Sequence, residues 1–244
     1  LRGPEFAAEE LSLFARLVRV FYAPAQSFAA VLGRETAHDW LLPVLLTCLV
    51  GLAAHHLTLD IVANAEAPQI RRQLEQMDQE RRQQYERSVE MLRAQGWAMI
   101  PVGLFTSLVV VGGLLMVLAR WPFGAEVGFR QMLVVKGYAT LVVAVEWLAR
   151  TALILATGNP LVHTGLGAFV PQAMEQTFAG KVLIGVNFFD LWQIGVLGIG
   201  LGTMASVPAK RAFFALLALW LLWLMGGAAV EVATQGMAPA APAS

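Results

Sequence analysis

Five apolar stretches, each about as long as a bilayer's hydrocarbon core is thick, constrain this chain more than any other feature. They run over residues 40–59, 97–119, 137–157, 183–207 and 212–232. At about 1.5 Å of rise per residue, each reaches roughly 30 Å or more as a helix, which matches the apolar thickness of a membrane. Trp40, Trp97 and Trp121 stand at run ends, where an amphipathic ring prefers the headgroup level. Composition agrees, since 57% of the residues are apolar and only 14% charged, against roughly 25% charged in soluble domains. That balance excludes a disordered chain. The 17 Lys and Arg against 17 Asp and Glu leave no net charge, and so no electrostatic case for nucleic acid as a partner. A single cysteine, Cys48, rules out a disulfide framework. The expected fold is all-α: a polytopic membrane protein with five transmembrane helices, whose first partner is the lipid bilayer. The first run is expected to remain in the mature protein, because no small-residue cleavage site follows it.

Positive charge in the short connections predicts an orientation. Arg16, Arg19 and Arg34 precede span one, Arg120, Arg130 and Lys136 fall between spans two and three, and Lys210 and Arg211 fall between four and five. All of these lie on one side of the predicted topology, which the positive-inside rule makes cytoplasmic. The expected N-terminus is cytoplasmic and the expected C-terminus lies outside.

The segments outside the spans divide the chain further. Residues 1–6 read LRGPEF, a sequence typical of a protease-site and cloning scar. Residues 7–36 form an amphipathic N-terminal segment, with apolar residues recurring at Leu11, Phe14, Val18, Phe21, Ala25, Phe28 and Leu32. Those steps of three and four trace one helical face, and Pro24 predicts a kink or two short helices. With Arg16 and Arg19 beside the stripe, the segment reads as an in-plane helix on the cytoplasmic leaflet, with Phe14, Arg16, Arg19, Phe21 and Phe28 as its contact residues. The alternative is a helix docked on the span bundle.

Within the membrane domain of residues 37–236, residues 61–96 form an outer helical insertion. It is rich in Arg, Glu and Gln, with a thin apolar stripe at Ile70, Leu74, Met77, Tyr85 and Leu92. A single helix or a hairpin fits, serving either as a homo-oligomer contact or as a solvated lid. Residues 237–244 are an Ala/Pro-rich tail expected to be disordered.

No catalytic signature is present: no P-loop, no HExxH and no GxSxG. Gly198, Gly200 and Gly202 make a GxGxG inside span four, where close helix packing is the sensible meaning. His56 and Asp60 lie one turn apart but are too few to hold a metal, so neither a cofactor nor a catalytic residue is expected. What the spans do hold is ionisable groups, which are expensive in a bilayer and mark sites by default. Counting depth at about 1.5 Å per residue puts Glu146, Arg150, Asp190, Asn187 and His55 near one level. The expectation is a buried polar layer in which Arg150 sits between the two carboxylates.

Several of these residues resemble the Yip1 family. The fourth-span sequence from Asn187 through Phe188, Phe189, Asp190, Leu191 and Trp192 to Gly200, followed by Lys210, is similar to that family's fourth span, although Asp190 and Trp192 are only two apart. Phe21-Tyr22-Ala23-Pro24 with Phe28 resembles its N-terminal segment, and Lys136-Gly137-Tyr138-Ala139 the start of its third span. The resemblance implies a five-span protein without known enzymatic chemistry, in a family whose eukaryotic members are associated with vesicle traffic, membrane shaping and small GTPases. With the Arg-rich outer segment, it implies a bacterial inner-membrane protein that organises the membrane or binds partners, in membrane trafficking or envelope homeostasis. The alternative function is a transporter or channel for a small solute, ion or lipid, built on the charges of spans three and four.

Overall fold

The computed structural model describes residues 11–65, 79–160 and 162–235. The LRGPEF scar, the stripe from Ile70 to Met77 and the C-terminal tail lie outside those residues. Among the described residues, eight α-helices follow in order: α1 (Leu13–Arg19), α2 (Pro24–Ala29), α3 (Ala37–Ala65), α4 (Gln79–Arg120), α5 (Phe129–Thr157), α6 (Phe178–Gly185), α7 (Phe188–Ala205) and α8 (Ala209–Gln235). Two 3₁₀ turns, Leu166–Phe169 and Gln172–Met174, fall between α5 and α6. Among the described residues there is no strand, and five helical segments are long and apolar enough to cross a membrane: Ala37–Val62, Gln95–Arg120, Phe129–Thr157, Phe188–Ala205 and Ala209–Thr234.

The N-terminal stripe is split at its proline. Ser12 caps α1 by accepting the Ala15 N–H, and Pro24 opens α2 at its first turn, where a missing N–H costs no helical hydrogen bond. α2 lies against α7, and the best-buried part of the molecule forms there from Val20, Phe28, Val31, Val135, Tyr138 and Leu201. Gly200 makes this possible. A β-carbon on it would fall 2.8 Å from the Phe28 ring and 2.7 Å from Val135, so any side chain there would force Phe28 and Val135 to shift. Gly198 likewise lets α7 approach the α8 backbone at Phe213. The glycine pattern in span four is therefore a packing device.

Two boundaries differ from the sequence expectation. The third spanning helix, α5, starts at Phe129 rather than near residue 137, which moves Lys136 out of the connecting loop and into the bundle, only 5% exposed. The fourth apolar run is not one helix. It breaks at Val186 and Asn187, both extended, after the short α6. A broken helix inside a bilayer must satisfy its freed backbone groups within the protein. The loop after α5 supplies part of that: Leu166 N–H donates to Val186 O at 3.0 Å, and Gly165 forms an isolated bridge with Asn187. A β-carbon on Gly165 would sit 2.1 Å from Val186 O, so only glycine allows the loop this close. Asn187 then caps α7 by accepting the Phe189 N–H.

α4 begins at Gln79 and runs without interruption through Gln95 into the second span. Residues 79–94 thus extend that helix about 24 Å beyond the apolar segment, at about 1.5 Å per residue.

Candidate functional site

The N-terminal helices are fastened to the bundle by one buried ion pair. Arg16 Nη1 donates to Asp39 Oδ1 at 2.7 Å, and Asp39 is 2% exposed. Its other oxygen accepts the Thr36 N–H at 2.9 Å and the Thr36 hydroxyl at 2.7 Å. Ser27 Oγ donates to Arg16 O at 3.0 Å, which binds α2 to α1, and Arg19 Nη1 donates to Gln26 Oε1 at 3.2 Å. Beside this knot, Glu35 accepts from Gly33 N–H and from Gln131 Nε2. Burial pushes the Glu35 carboxyl up, but these hydrogen bonds and its own backbone N–H outweigh that and hold it below the ordinary glutamate value.

Docking divides the apolar stripe between two environments. Phe28 is fully buried with its edge against Tyr138, and Phe21 meets Trp192 at 5.9 Å between ring centres. Phe14 is 76% exposed and Tyr22 70% exposed, with Val18 and Leu32 also facing outward. Of the five proposed surface residues, Arg16, Phe21 and Phe28 thus serve the bundle, Arg19 bonds within the helix pair, and Phe14 projects away. Tyr22, which lies off the regular stripe, joins Phe14 outside. Trp121, at the end of α4 on the same side of the bundle, is 86% exposed.

The proposed polar layer resolves into two groups. Asn187 Nδ2 donates to Glu146 Oε1, joining the break in span four to α5. Asp190, one turn along α7, lies within the electrostatic reach of Glu146. Lys136 is the cation that acts on Asp190 through space, without an ion pair within 4 Å among the described residues, and Gln193 Nε2 donates to Ala139 O at 3.1 Å. The result is a polar seam of Lys136, Gln193, Asp190, Asn187 and Glu146 along the α5–α7 contact. Arg150 and His55 are placed elsewhere. Both line a cavity between α3, α4 and α5, and His55 packs on Gly96 and the edge of Trp97. Arg150 acts on Glu146 electrostatically but forms no ion pair within 4 Å among the described residues.

Lys136 is the residue that sequence reasoning misplaced. Its signal was present, because Met132, Leu133, Val134 and Val135 precede it and extend the apolar run upstream across the charge.

Five apolar spans, a broken fourth span and an N-terminal helix pair pinned to the bundle define a multi-pass integral membrane protein. A family model described as the Yip1 domain matches residues 18–230, which include both N-terminal anchors Phe21 and Phe28, the polar seam and all but the end of α8. The chain belongs to the Yip1 domain family. No curated protein and no solved structure matches it.

Proposed function

We propose that the protein is a non-enzymatic membrane organiser whose α1–α2 pair presents an apolar edge to the cytoplasmic leaflet or to a partner seated there. The single observation behind this reading is the division of the N-terminal stripe. Phe21 and Phe28 fix the pair to α7, and the Arg16–Asp39 pair fixes it to α3, while Phe14 and Tyr22 remain outward at the same end as Trp121. A helix held rigidly at a bundle edge with aromatic residues facing away is suited to interfacial contact. Under this reading the protein serves membrane trafficking or envelope homeostasis in a bacterial inner membrane, with a cytoplasmic N-terminus and the C-terminus outside. A reporter active only outside the cytoplasm and fused after Val232 should be active; a silent fusion there would reverse the orientation.

Photo-crosslinking in cells tests the function. A benzophenone amino acid at position 14 or 22 should give lipid adducts or one discrete protein adduct, and Asp39→Ala should diminish them by freeing the helix pair. Absence of both kinds of adduct at both positions would end this reading.

Transport is the second reading, and the broken fourth span favours it. Discontinuous helices at polar positions are how many transporters build a midplane site, and the Asn187–Glu146 contact lies at such a break.

A further inference from the structure

We infer that the cavity between α3, α4 and α5 is a binding site for an anionic phospholipid, with the phosphate at Arg150 and an acyl chain along the apolar wall. The cavity has a volume of about 570 Å³, within the range of roughly 300–1,000 Å³ typical of small-molecule sites. Its walls include Val62, Ile100, Trp147 and Ile154, and its polar lining includes Arg150 and His55. Two of those polar groups are not satisfied by the protein. Among the described residues, His55 Nε2 is buried without a hydrogen-bond partner, and the Arg150 guanidinium has no hydrogen bond or ion pair within 4 Å.

Charge and depth select the occupant. Glu146, one turn from Arg150, is already engaged by Asn187 and shares its surroundings with Asp190, so the guanidinium is left facing the cavity with its donors unused. An unpaired guanidinium at membrane depth is costly, and an anion with acceptor oxygens relieves that cost. A free anion would lose its hydration against Trp147, Ile154 and Ile100 with little in return. A lipid brings the same acceptor oxygens together with a chain that those walls can cover. Arg150 lies seven residues before Thr157, the end of α5, and so about 10 Å from the helix terminus. That places Arg150 in the half of the spanning segment away from α1 and α2. The site is therefore open to lipid of the leaflet opposite the one α1–α2 would contact, and it stands independently of the N-terminal reading.

Thermal unfolding of the full chain in a neutral detergent tests this, with dioleoyl phosphatidylglycerol, dioleoyl phosphatidylcholine or inorganic phosphate added. Phosphatidylglycerol should raise the melting temperature saturably, and phosphatidylcholine and phosphate should do so far less at equal concentration. Arg150→Gln should weaken the apparent phosphatidylglycerol affinity at least tenfold. Ala54→Phe, which fills the cavity and keeps the arginine, should do the same. Equal stabilisation by phosphatidylcholine, or by phosphate alone, would overturn the assignment. So would an undiminished lipid effect in Ala54→Phe, which decides the matter if Arg150→Gln does not fold.

Discussion

Asp39→Ala is expected to loosen α1 and α2 from the bundle and to lower stability by about 3 kcal/mol, the lower end of what breaking a buried ion pair costs. The lower end applies because Arg16 retains 18% side-chain exposure and so recovers some hydration. Three hydrogen bonds end on the Asp39 carboxylate, one from Arg16 and two from Thr36. Losing them strands donors as well as a charge. Arg16 Nε already lacks a partner, so the guanidinium has little else to turn to. Melting in detergent measures the stability loss, and limited trypsin digestion at Arg19 reports the release. Arg16→Met with Asp39→Leu should recover part of the loss, because an apolar pair leaves nothing uncompensated. A single Asp39→Ala change that melts like the parent and resists trypsin equally would show that Phe21 and Phe28 hold the helices alone.

The second large effect belongs to the polar seam. Asp190→Asn should destabilise the protein by about 1–2 kcal/mol, the scale of a through-space charge interaction in a protein, because it removes the carboxylate that acts on the buried Lys136 ammonium without an ion pair within 4 Å among the described residues. Adding Lys136→Met should restore much of that loss, giving a coupling of about 1–2 kcal/mol between the two positions. Arg150→Ala with Asp190→Asn should instead be close to additive, since the structure gives Asp190 a different cation. Comparing the melting of the single and double variants separates these cases. Additive losses for Lys136 and Asp190 would mean that the two charges do not sense each other.

Much of the fold was legible because bilayer thickness translates directly into run length, and five runs of that length leave few alternatives. Pro24 was legible too, since its ring fixes where one short helix stops and the next begins. The break at Val186 and Asn187 was not. Its cause is a loop about twenty residues upstream, whose Gly165 approaches the Val186 carbonyl, and no local pattern encodes that meeting. The polar layer was half legible for a related reason. Depth arithmetic placed Glu146, Asn187 and Asp190 at neighbouring levels, and the structure brings them together. It could not tell which way around the helix each residue faced, so it grouped with them His55 and Arg150, both of which line the cavity, although Arg150 still acts on Glu146 electrostatically. Lys136 was lost because a charge at the edge of an apolar run reads as loop, although the helix begins upstream at Phe129 and runs through it. The N-terminal stripe shows the same limit, since spacing identifies an apolar face but not the division of that face between the bundle and the exterior.

Membrane organisation by α1 and α2 requires their outward residues to meet lipid. In a Cys48→Ala background, Phe14→Cys, Tyr22→Cys and the polar control Gln26→Cys can each carry an environment-sensitive fluorophore in proteoliposomes with lipids brominated at defined acyl positions. The prediction is a blue-shifted emission at positions 14 and 22, quenched more strongly by shallow bromines than by deep ones, with position 26 largely unquenched. Water-like, unquenched emission at both 14 and 22 would contradict the account.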